Sequence, residues 1–342
     1  MARIRNVAKK SRYAIEVSNL VKQYGDFKAV KGVSFKVKEG EIFGFLGPNG
    51  AGKTTTVHML TTIIPPTSGV AKVAGHNIYE RREDVRSKIG VVFQDPSLDD
   101  KLTGAENLNF HAMIYGMDRE NRRAMIKEML EMVELTDKAD ILIENYSGGM
   151  KRRLEIARGL LNKPKVLFLD EPTIGLDAQT RRHILDYILN LNKRYKLTVF
   201  ITTHYIEEAD YLCDRVAIID HGTIVACDTP EKLKSGLNGD SITITLADKS
   251  SASDLSKYIR KIKKIRDVKQ NEAVLYVYVN DPASALASIM RAAYEERIEV
   301  LNIEIHKPSL EDVFIHYTGK GIREAEAEQN DRMRAMVRSR MR

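Results

Sequence analysis

Cysteine and tryptophan are scarce in this sequence, and long apolar runs are missing. Its 342 residues include two cysteines and no tryptophan, and neither Cys213 nor Cys227 has the spacing of a metal or redox motif, as in proteins of a reducing cytosol. The eight histidines form no zinc-type pair. No apolar run approaches the roughly 18–20 residues of a membrane-spanning helix, and none follows the basic amino terminus as in a secretory signal. We therefore expect a chain that crosses no membrane.

The positive charge is concentrated at the two ends of the chain, whose formal net charge is +7. Residues 1–12, a predicted basic amino-terminal arm, contain five basic and no acidic residues, and the predicted charged tail at 319–342 contains seven basic and four acidic ones. A nucleic-acid binder more often carries its charge on the folded surface, so we expect no nucleic-acid partner. Solvation of the two tails and contact with anionic lipid or a protein partner both stay open.

Strand-like segments of two kinds alternate with helical ones up to about residue 203. Residues 14–17 and 33–37 flank a turn at 24–26 and predict an antiparallel β lobe. Four later runs are apolar without alternation, which is typical of parallel strands covered on both faces; they are residues 41–46, 89–93, 166–169 and 198–201. Between the second and third runs, apolar residues at helical spacing predict a helical subdomain at about 95–160. The pattern predicts an α/β fold with a mainly parallel core sheet.

A polar turn at residues 237–240 marks a predicted domain boundary. Beyond it, the order β-α-β-β-α-β predicts a small α+β ferredoxin-like domain at 240–318, and we expect it to have a regulatory or dimer-stabilising role. A last helix begins at a capping box formed by Ser309 and Asp312. Its predicted apolar face consists of Leu310, Val313, Phe314 and Tyr317.

The segment Gly47-Pro-Asn-Gly-Ala-Gly-Lys53-Thr54 matches G-x-x-x-x-G-K-[ST] between a strand and a helical pattern, as a phosphate-binding loop requires. Glycines let the backbone wrap a phosphate, and successive N–H groups at a helix N-terminus supply positive potential. Lys53 is expected to reach the β- and γ-phosphates, and the Thr54 hydroxyl to bind Mg²⁺. The alternative is a glycine-rich turn without a ligand, and further residues weigh against it.

Polar side chains end each of the other three buried runs. Gln94 follows the second run, Asp170 and Glu171 follow the third, and His204 follows the fourth. In open α/β sheets ligands bind outside the carboxyl ends of the strands, so these residues and the phosphate loop predict one site. Asp170 is expected to hold Mg²⁺, Glu171 to deprotonate the attacking water and His204 to bond the γ-phosphate. Singly, a capping aspartate or a structural histidine would explain each residue, but not all of them together.

Ser147, Gly148 and Gly149 precede a second helix with apolar residues at regular spacing. An exposed helix N-terminus of this kind is a second anion-binding surface, and one nucleotide needs only one. We therefore predict that two copies of the chain pair head to tail. Each ATP would lie between the phosphate loop of one copy and the Ser147 segment of the other.

With these motifs in this order, the sequence resembles the ATP-binding-cassette (ABC) ATPases over residues 13 to about 235. The resemblance identifies Gln94 with the Q-loop, residues 147–149 with the signature, 166–171 with Walker B, 175–177 with the D-loop and His204 with the switch. Met150 departs from the family, which more often has glutamine there. The implied fold is a P-loop ABC ATPase cassette at 13–238, with a mainly parallel core sheet, an antiparallel β lobe and a helical subdomain.

The resemblance also implies a set of functional residues. The catalytic ones are Lys53, Gln94, Glu171 and His204, and the Mg²⁺ ligands are Thr54, Gln94 and Asp170. Tyr24 lies where the family stacks an aromatic ring on adenine, although a plain turn aromatic is the local alternative. The remaining ATP contacts are Gly47, Pro48, Asn49, Gly50, Ala51, Gly52, Lys53, Thr54 and Thr55 in one chain, and Ser147, Gly148, Gly149 and Asp177 in the second.

The Met150-Lys-Arg-Arg segment and residues 308–319 resemble the daunorubicin-resistance-type branch, which works with separate permeases of the ABC-2 exporter class. This implies an ATP-hydrolysing transporter subunit, cytoplasmic and peripheral on the inner face of the membrane, whose partners are a second copy and permease subunits. The alternative is a soluble ABC ATPase acting on nucleic acid, ribosomes or protein assembly. The single cassette and the short separation of Lys53 from Ser147 weigh against it. A non-hydrolysing regulatory subunit is disfavoured because the catalytic residues are present, and the cargo does not follow from the sequence.

Overall fold

The computed structural model describes residues 13–318 except residues 96, 238, 239, 264 and 280 and the side chains of Ser241 and Asn271. The predicted arm at 1–12 and the predicted tail at 319–342 lie outside the described residues. The chain divides into two compact units between Asp228 and Thr229.

The first unit contains ten strands and seven helices within the described part of the chain. In chain order they are β1 (Tyr13–Tyr24), β2 (Phe27–Lys38), β3 (Ile42–Leu46), α1 (Lys53–Leu60), β4 (Ser68–Val73), β5 (His76–Asn77), α2 (Arg82–Arg86), β6 (Ile89–Val92), α3 (Gly104–Ile114), α4 (Arg119–Met132), α5 (Gly148–Leu160), β7 (Val166–Asp170), α6 (Ala178–Tyr195), β8 (Thr198–Thr203), α7 (Ile206–Leu212), β9 (Arg215–Asp220) and β10 (Thr223–Asp228).

An antiparallel sheet forms the predicted β lobe. Its strand order is β2-β1-β4-β5, and β1 pairs antiparallel with both β2 and β4. From Val33 onward, alternate residues of β2 are buried, because one face of the sheet packs on the core while the other meets solvent. Phe35 of β2 stacks on Phe43 of β3 at a centroid distance of 5.4 Å, so the lobe and the core sheet share one apolar cluster.

The core sheet has six strands in the order β10-β9-β3-β8-β7-β6. Its five strands from β9 to β6 are parallel, and β10 is antiparallel to β9. Every residue of β3, β7 and β8 is buried, as the missing alternation indicates. The predicted α/β fold with a mainly parallel core sheet is confirmed.

The helical subdomain holds α3, α4, α5 and two short 3₁₀ helices at Thr136–Lys138 and Ile143–Asn145. Thr103 and Glu106 form a capping box at the start of α3, which satisfies two backbone N–H groups. In α4, Met129 and Leu130 are buried while Ile126 is half-buried, so one face of the helix packs inward. No helix of the described residues is both long and apolar enough to cross a bilayer.

The second unit is a four-stranded antiparallel sheet with helices. Its elements are α8 (Pro230–Ser235), β11 (Asp240–Leu246), α9 (Lys249–Ile259), β12 (Ile265–Asn271), β13 (Val274–Val279), α10 (Pro282–Glu295), β14 (Val300–His306) and α11 (Leu310–Thr318). The strand order β12-β13-β11-β14, with antiparallel neighbours, is the split β-α-β arrangement of the predicted ferredoxin-like fold. Apolar residues of β11, β13, α9 and α10 form its own core.

The structure divides the chain earlier than the polar turn at 237–240 suggested, because α8 lies in the second unit and packs on α11. At the start of α11, the Asp312 carboxylate accepts from the Ser309 backbone N–H at 2.8 Å, and the Ser309 hydroxyl accepts from the Asp312 N–H at 3.2 Å, so the capping box is present. Leu310, Val313 and Phe314 are buried, but Tyr317 is half exposed. The predicted four-residue apolar face is therefore a three-residue one.

Candidate active site

The phosphate loop connects β3 to α1 and can exist only with glycine at two positions. A Cβ atom at Gly47 would lie 2.2 Å from the Ile219 carbonyl oxygen, and one at Gly52, where φ is +105°, would lie 2.7 Å from the Ala29 carbonyl oxygen. No side chain caps the N-terminus of α1, so its first backbone N–H groups remain available as donors. The loop therefore has the backbone path and the donors that a phosphate group requires.

Lys53 begins α1 and is 4% exposed. Its ammonium group donates to the carbonyl oxygens of Gly47 at 2.8 Å and Pro48 at 3.1 Å. It also lies 3.0 Å from Oε1 of Glu171. The lysine is thus fixed across the mouth of the loop, with its charge directed at the end of β7.

Glu171 follows β7 and has two polar partners besides Lys53. Its second carboxylate oxygen, Oε2, lies 3.1 Å from Nδ1 of His204, and its backbone N–H donates to the Thr202 hydroxyl at 3.0 Å. Its φ of +47° is a left-handed conformation that costs a non-glycine residue about 1–2 kcal/mol. The chain therefore bends at this residue in a way that turns its carboxylate to both Lys53 and His204.

The electrostatic surroundings keep Glu171 ionised. Burial alone would raise the pKa of this carboxyl, but the hydrogen bond to His204 and the charge of Lys53 outweigh burial and lower the pKa. A carboxylate that accepts hydrogen bonds and faces a cation is favoured in its charged form. Glu171 is therefore held as a carboxylate anion beside the phosphate loop.

Asp170, the last residue of β7, is 1% exposed. Its Oδ1 accepts a hydrogen bond of 2.5 Å from the Thr202 hydroxyl, so Thr202 contacts both members of the acidic pair. Thr54 is half-buried at the start of α1, and Gln94 is exposed just after β6. The sequence pattern did not single out Thr202, although a polar residue inside an apolar strand is a usable signal.

A third buried carboxylate lies near His204, after those of Asp170 and Glu171. Glu208 of α7 is 2% exposed and accepts hydrogen bonds from the hydroxyls of Thr203, at 2.7 Å, and Thr173. Burial raises the pKa of Glu208, against these hydrogen bonds and the charge of Arg181. The sequence analysis missed this cluster, which fixes the strand end that precedes His204.

The Ser147 segment forms the N-terminus of α5 on the helical subdomain. Ser147 is exposed, and its hydroxyl caps the helix by accepting from the Met150 N–H at 3.3 Å. A Cβ atom at Gly149 would lie 2.5 Å from Cγ2 of Thr180, so glycine allows the helix start to approach α6. The surface of this helix end remains open to a ligand.

Asp177 and Tyr24 complete the predicted set. Asp177 caps α6, with its two carboxylate oxygens accepting from the Thr180 N–H at 2.9 Å and the Thr180 hydroxyl at 2.7 Å. The Thr180 hydroxyl, followed by its N–H, lowers the pKa of Asp177. Tyr24 ends β1, is about half exposed and has the Lys22 ammonium 5.0 Å from its ring centroid.

The structure brings Lys53, Glu171 and His204 into direct contact, and Asp170 joins them through Thr202. Other predicted residues occupy the loop and helix surfaces at different depths. Gly47, Pro48, Ala51 and Gly52 are buried, Thr54, Thr55 and Gly149 are half-buried, and Asn49, Gly50, Gln94, Ser147, Gly148 and Asp177 are exposed.

Comparison with known proteins identifies the family. The profile of the ABC transporter family matches residues 30–174, and that of the ATP-binding protein DrrA1-3-like C-terminal domain matches residues 229–318. The chain is 39% identical to the linearmycin resistance ATP-binding protein LnrL of Bacillus subtilis (strain 168), over 91% of this chain and 100% of that protein. It is 36% identical to the daunorubicin resistance ATP-binding protein DrrA2 of Streptomyces coeruleorubidus, over 93% of this chain and 98% of that one.

Solved structures agree with this assignment. The chain matches cbiO1 of Clostridium perfringens, part of the ABC transporter complex cbiONQ, with a TM-score of 0.61 and 31% identity over 65% of this chain and 90% of that one. It matches the cassette MJ0796, solved as a dimer in a post-hydrolysis state with ADP and Pi, with a TM-score of 0.57 and 30% identity over 63% of this chain and 98% of that one. The chain therefore belongs to the ABC transporter family, as one of its ATP-hydrolysing subunits.

Proposed function

We propose that this chain hydrolyses ATP to power export through a separate ABC-2-type permease. The observation that carries the proposal is the buried contact of Glu171 with both Lys53 and His204 at the carboxyl ends of β7 and β8. A relative supports the direction of transport. It is a Nod factor export ATP-binding protein from Burkholderia lata, 39% identical over 90% of this chain and 97% of that one. The alternative of a soluble ABC ATPase acting on nucleic acid or ribosomes receives no support from these relatives.

The roles of the side chains follow from their positions. The loop N–H groups and Lys53 bind the phosphates, because they place positive charge where negative charge develops in phosphoryl transfer. Glu171 accepts a proton from the attacking water at a carboxylate oxygen. His204, whose Nδ1 lies against Glu171, orients that carboxylate. With nucleotide bound, its ring N–H would instead donate to the γ-phosphate, and the exposed ring of Tyr24 would stack on the adenine.

The donors present also fit Mg²⁺. The described residues contain no group of three His, Cys, Asp or Glu side chains that would hold a metal by themselves, and Mg²⁺ typically takes one or two carboxylates together with substrate phosphates. Asp170, the Thr54 hydroxyl and the Gln94 amide oxygen would supply the protein ligands. The bound ion would neutralise charge on the β- and γ-phosphate oxygens.

Two copies of the chain, paired head to tail, would complete each site. Ser147, Gly148 and Gly149 present an exposed helix N-terminus, to which a phosphate of the other copy's nucleotide would bind. Asp177, which caps the neighbouring α6, would lie at the same junction. The dimeric cassette MJ0796 with ADP and Pi supports this assembly.

An apolar surface on the helical subdomain fits a cytoplasmic helix of the permease. Phe110, Met113, Ile114 and Tyr115 are 46–64% exposed around the end of α3. A cavity of about 360 Å³ lies beside them and is lined by Phe93, Tyr115 and their neighbours. Exposed apolar residues in this density are typical of protein interaction sites, and this contact would hold the chain at the inner face of the membrane.

Membrane recovery tests the permease contact. With the permease co-expressed, an Ile114→Glu chain should shift from the membrane fraction to the soluble fraction while hydrolysing ATP at the parent rate. Tyr79→Glu, which changes an equally exposed side chain of the first unit, is the matched control. Equal membrane recovery of the two variants would exclude this surface.

Ser147→Arg tests the shared site. The variant should bind ATP with the affinity of the parent but stop hydrolysing it, because Ser147 serves the nucleotide of the other copy. A variant that forms a normal MgATP-dependent dimer and hydrolyses at the parent rate would exclude the head-to-tail arrangement. Mixing it with Lys53→Ala leaves each heterodimer one site with both changes and one with neither, and returning activity would support the arrangement further.

A further inference from the structure

Three charged residues are buried along one face of α5, the helix that begins at the Ser147 segment. Arg152, Glu155 and Arg158 are between 2% and 8% exposed. Their spacing of three places them on one side of the helix. Buried charges need partners. Here Arg152 and Glu155 pair with each other, and the remaining partners are backbone groups of the active-site loops.

Arg152 binds the ends of two core strands at once. Its Nη1 donates to the Phe93 carbonyl at 2.7 Å, directly before Gln94. Its Nε donates to the Pro172 carbonyl at 2.7 Å and its Nη2 to the Asp170 carbonyl at 3.3 Å, on either side of Glu171. One guanidinium therefore fixes the backbone around Gln94 and around the acidic pair.

Glu155 and Arg158 hold the far side of the Gln94 loop. Glu155 Oε2 lies 2.8 Å from Nη1 of Arg152, and its Oε1 accepts from the Ser97 N–H at 2.9 Å. Arg158 Nη1 donates to the Ser97 carbonyl at 2.8 Å. The loop that carries Gln94 is thus bound to α5 both before and after the glutamine.

The same helix presents Ser147 at its N-terminus, five residues before Arg152 and so about 7.5 Å away along the axis. Helices are stiff over such a distance, so a tilt of α5 at Ser147 must shift Arg152. Packing does not require these charges, since a buried ion pair is often replaceable by apolar residues without loss of stability. An apolar pair could not make the hydrogen bonds to the backbone groups of Phe93, Asp170, Pro172 and Ser97.

We propose that Arg152, Glu155 and Arg158, here named the α5 clamp, are positioning residues that couple the two ATP sites of the dimer. Within one chain, the clamp links the helix end that serves the partner's nucleotide to the Gln94 loop and the Asp170–Glu171 strand end that serve the chain's own nucleotide. This inference rests on the proposed head-to-tail dimer. When the partner's nucleotide binds at Ser147, the resulting movement of α5 would then align the hydrolytic residues of the same chain.

The test uses the full chain with the clamp altered in two ways. Arg152→Lys keeps the charge but loses the planar fork that reaches three carbonyls and Glu155. Arg152→Met combined with Glu155→Leu removes both charges and keeps the packing volume. The matched control is Arg215→Met with Glu41→Leu, a pair at 3.3 Å in which Glu41 is buried and Arg215 is half-buried. Arg215 likewise donates to a carbonyl, that of Lys36 at 3.1 Å, at the opposite ends of the strands.

Two readouts distinguish coupling between the two ATP sites from structural support of one site alone. The first is kcat for ATP hydrolysis, and the second is the dissociation constant of the MgATP-dependent dimer, measured with each change placed in a Glu171→Gln chain. Both clamp variants should lower kcat and weaken the dimer by on the order of tenfold or more, since small displacements of reacting groups cost that much. ATP affinity of the monomer, measured in a Ser147→Arg chain, should stay at the parent value.

The control pair should change melting temperature without moving either readout by more than about twofold. Clamp variants that hydrolyse and dimerise like the control, well below their melting temperatures, would overturn the proposal. A loss of kcat with unchanged dimer affinity would also contradict it, because the clamp would then support only its own site. If the double variant does not fold, Arg152→Lys gives the same test. Failure of the proposed function is distinct, since the parent chain itself would then not hydrolyse ATP or its Glu171→Gln variant would not dimerise.

Discussion

The two units of the chain differ in what they bury. The first unit buries charged side chains at the ends of its strands and beside them, including Lys53, Asp170, Glu171 and Glu208, whereas the only buried polar side chain among the described residues of the second unit is Ser256. Buried charges are costly unless they are paired, and they cluster where chemistry occurs. The first unit therefore keeps buried charged groups at one edge of its core sheet, where they can act on a ligand. The described part of the second unit buries almost only apolar side chains.

The largest effect is expected from removing Lys53, the buried cation at this edge of the core sheet. Lys53→Ala leaves Glu171 buried without its charged partner and removes a donor from the phosphate loop. Hydrolysis should fall on the order of a thousandfold, and nucleotide affinity should fall with it, as a fluorescent-nucleotide titration would show. Lys72→Ala, on the exposed side of β4, is the control. A Lys53→Ala chain with the hydrolysis rate and nucleotide affinity of this control would show that the buried charge of the first unit has no role in the reaction.

A core substitution in the second unit should have the opposite profile. Ile244 of β11 is fully buried, so Ile244→Ala should destabilise that unit by about 3 kcal/mol while ATP affinity stays unchanged. Urea unfolding with and without MgATP measures both quantities. Thr243→Ala, at the adjacent half-buried position, should cost little. Loss of ATP binding in Ile244→Ala would mean that the second unit takes part in the site.

Removing the second unit altogether should also leave ATP binding at the site intact, because every residue assigned to the site lies in the first unit. A chain ending at Asp228 should fold and bind ATP, with a weaker dimer or altered turnover. Its melting temperature should rise by several degrees with MgATP, since about 2.7 kcal/mol is gained at a hundredfold excess over the dissociation constant. An unfolded chain, or one whose melting temperature MgATP does not change, would show that the two units share one core.

The smallest effect concerns a titratable group of the first unit away from the strand ends. Burial, with the nearby charge of Arg158, lowers the pKa of His111 from 6.5 to about 4. Because the folded chain then binds fewer protons than the unfolded chain between these values, stability should fall as the pH drops from 6.5 to 4. His111→Gln should flatten that part of the melting-temperature profile, and His183→Gln, on the exposed side of α6, should not. Parallel profiles for the two variants would contradict the shift.

Sequence reasoning succeeded where a single periodicity or motif decides the outcome. The unbroken apolar runs give β3, β7 and β8, and the motif Gly47–Thr54 gives the loop and the start of α1. It failed where distant segments meet: nothing local shows that Arg152 reaches three carbonyls at the ends of β6 and β7. Likewise α8 reads as part of the cassette until its packing on α11 is seen. The local sequence pattern predicts strands, helices and the phosphate loop, but only the tertiary contacts show which charged side chains interact.

The central claim is that Glu171, held between Lys53 and His204, is the base that takes a proton from the water attacking ATP. The ATP is bound between two copies of the chain. Sedimentation of the Glu171→Gln chain with and without MgATP tests it most directly. The amide keeps the shape of the site but cannot take a proton, so hydrolysis should fall by at least about a hundredfold. The trapped ATP should then convert the monomer to a dimer. A Glu171→Gln chain that stays monomeric at saturating MgATP, or hydrolyses ATP at the parent rate, would contradict the account.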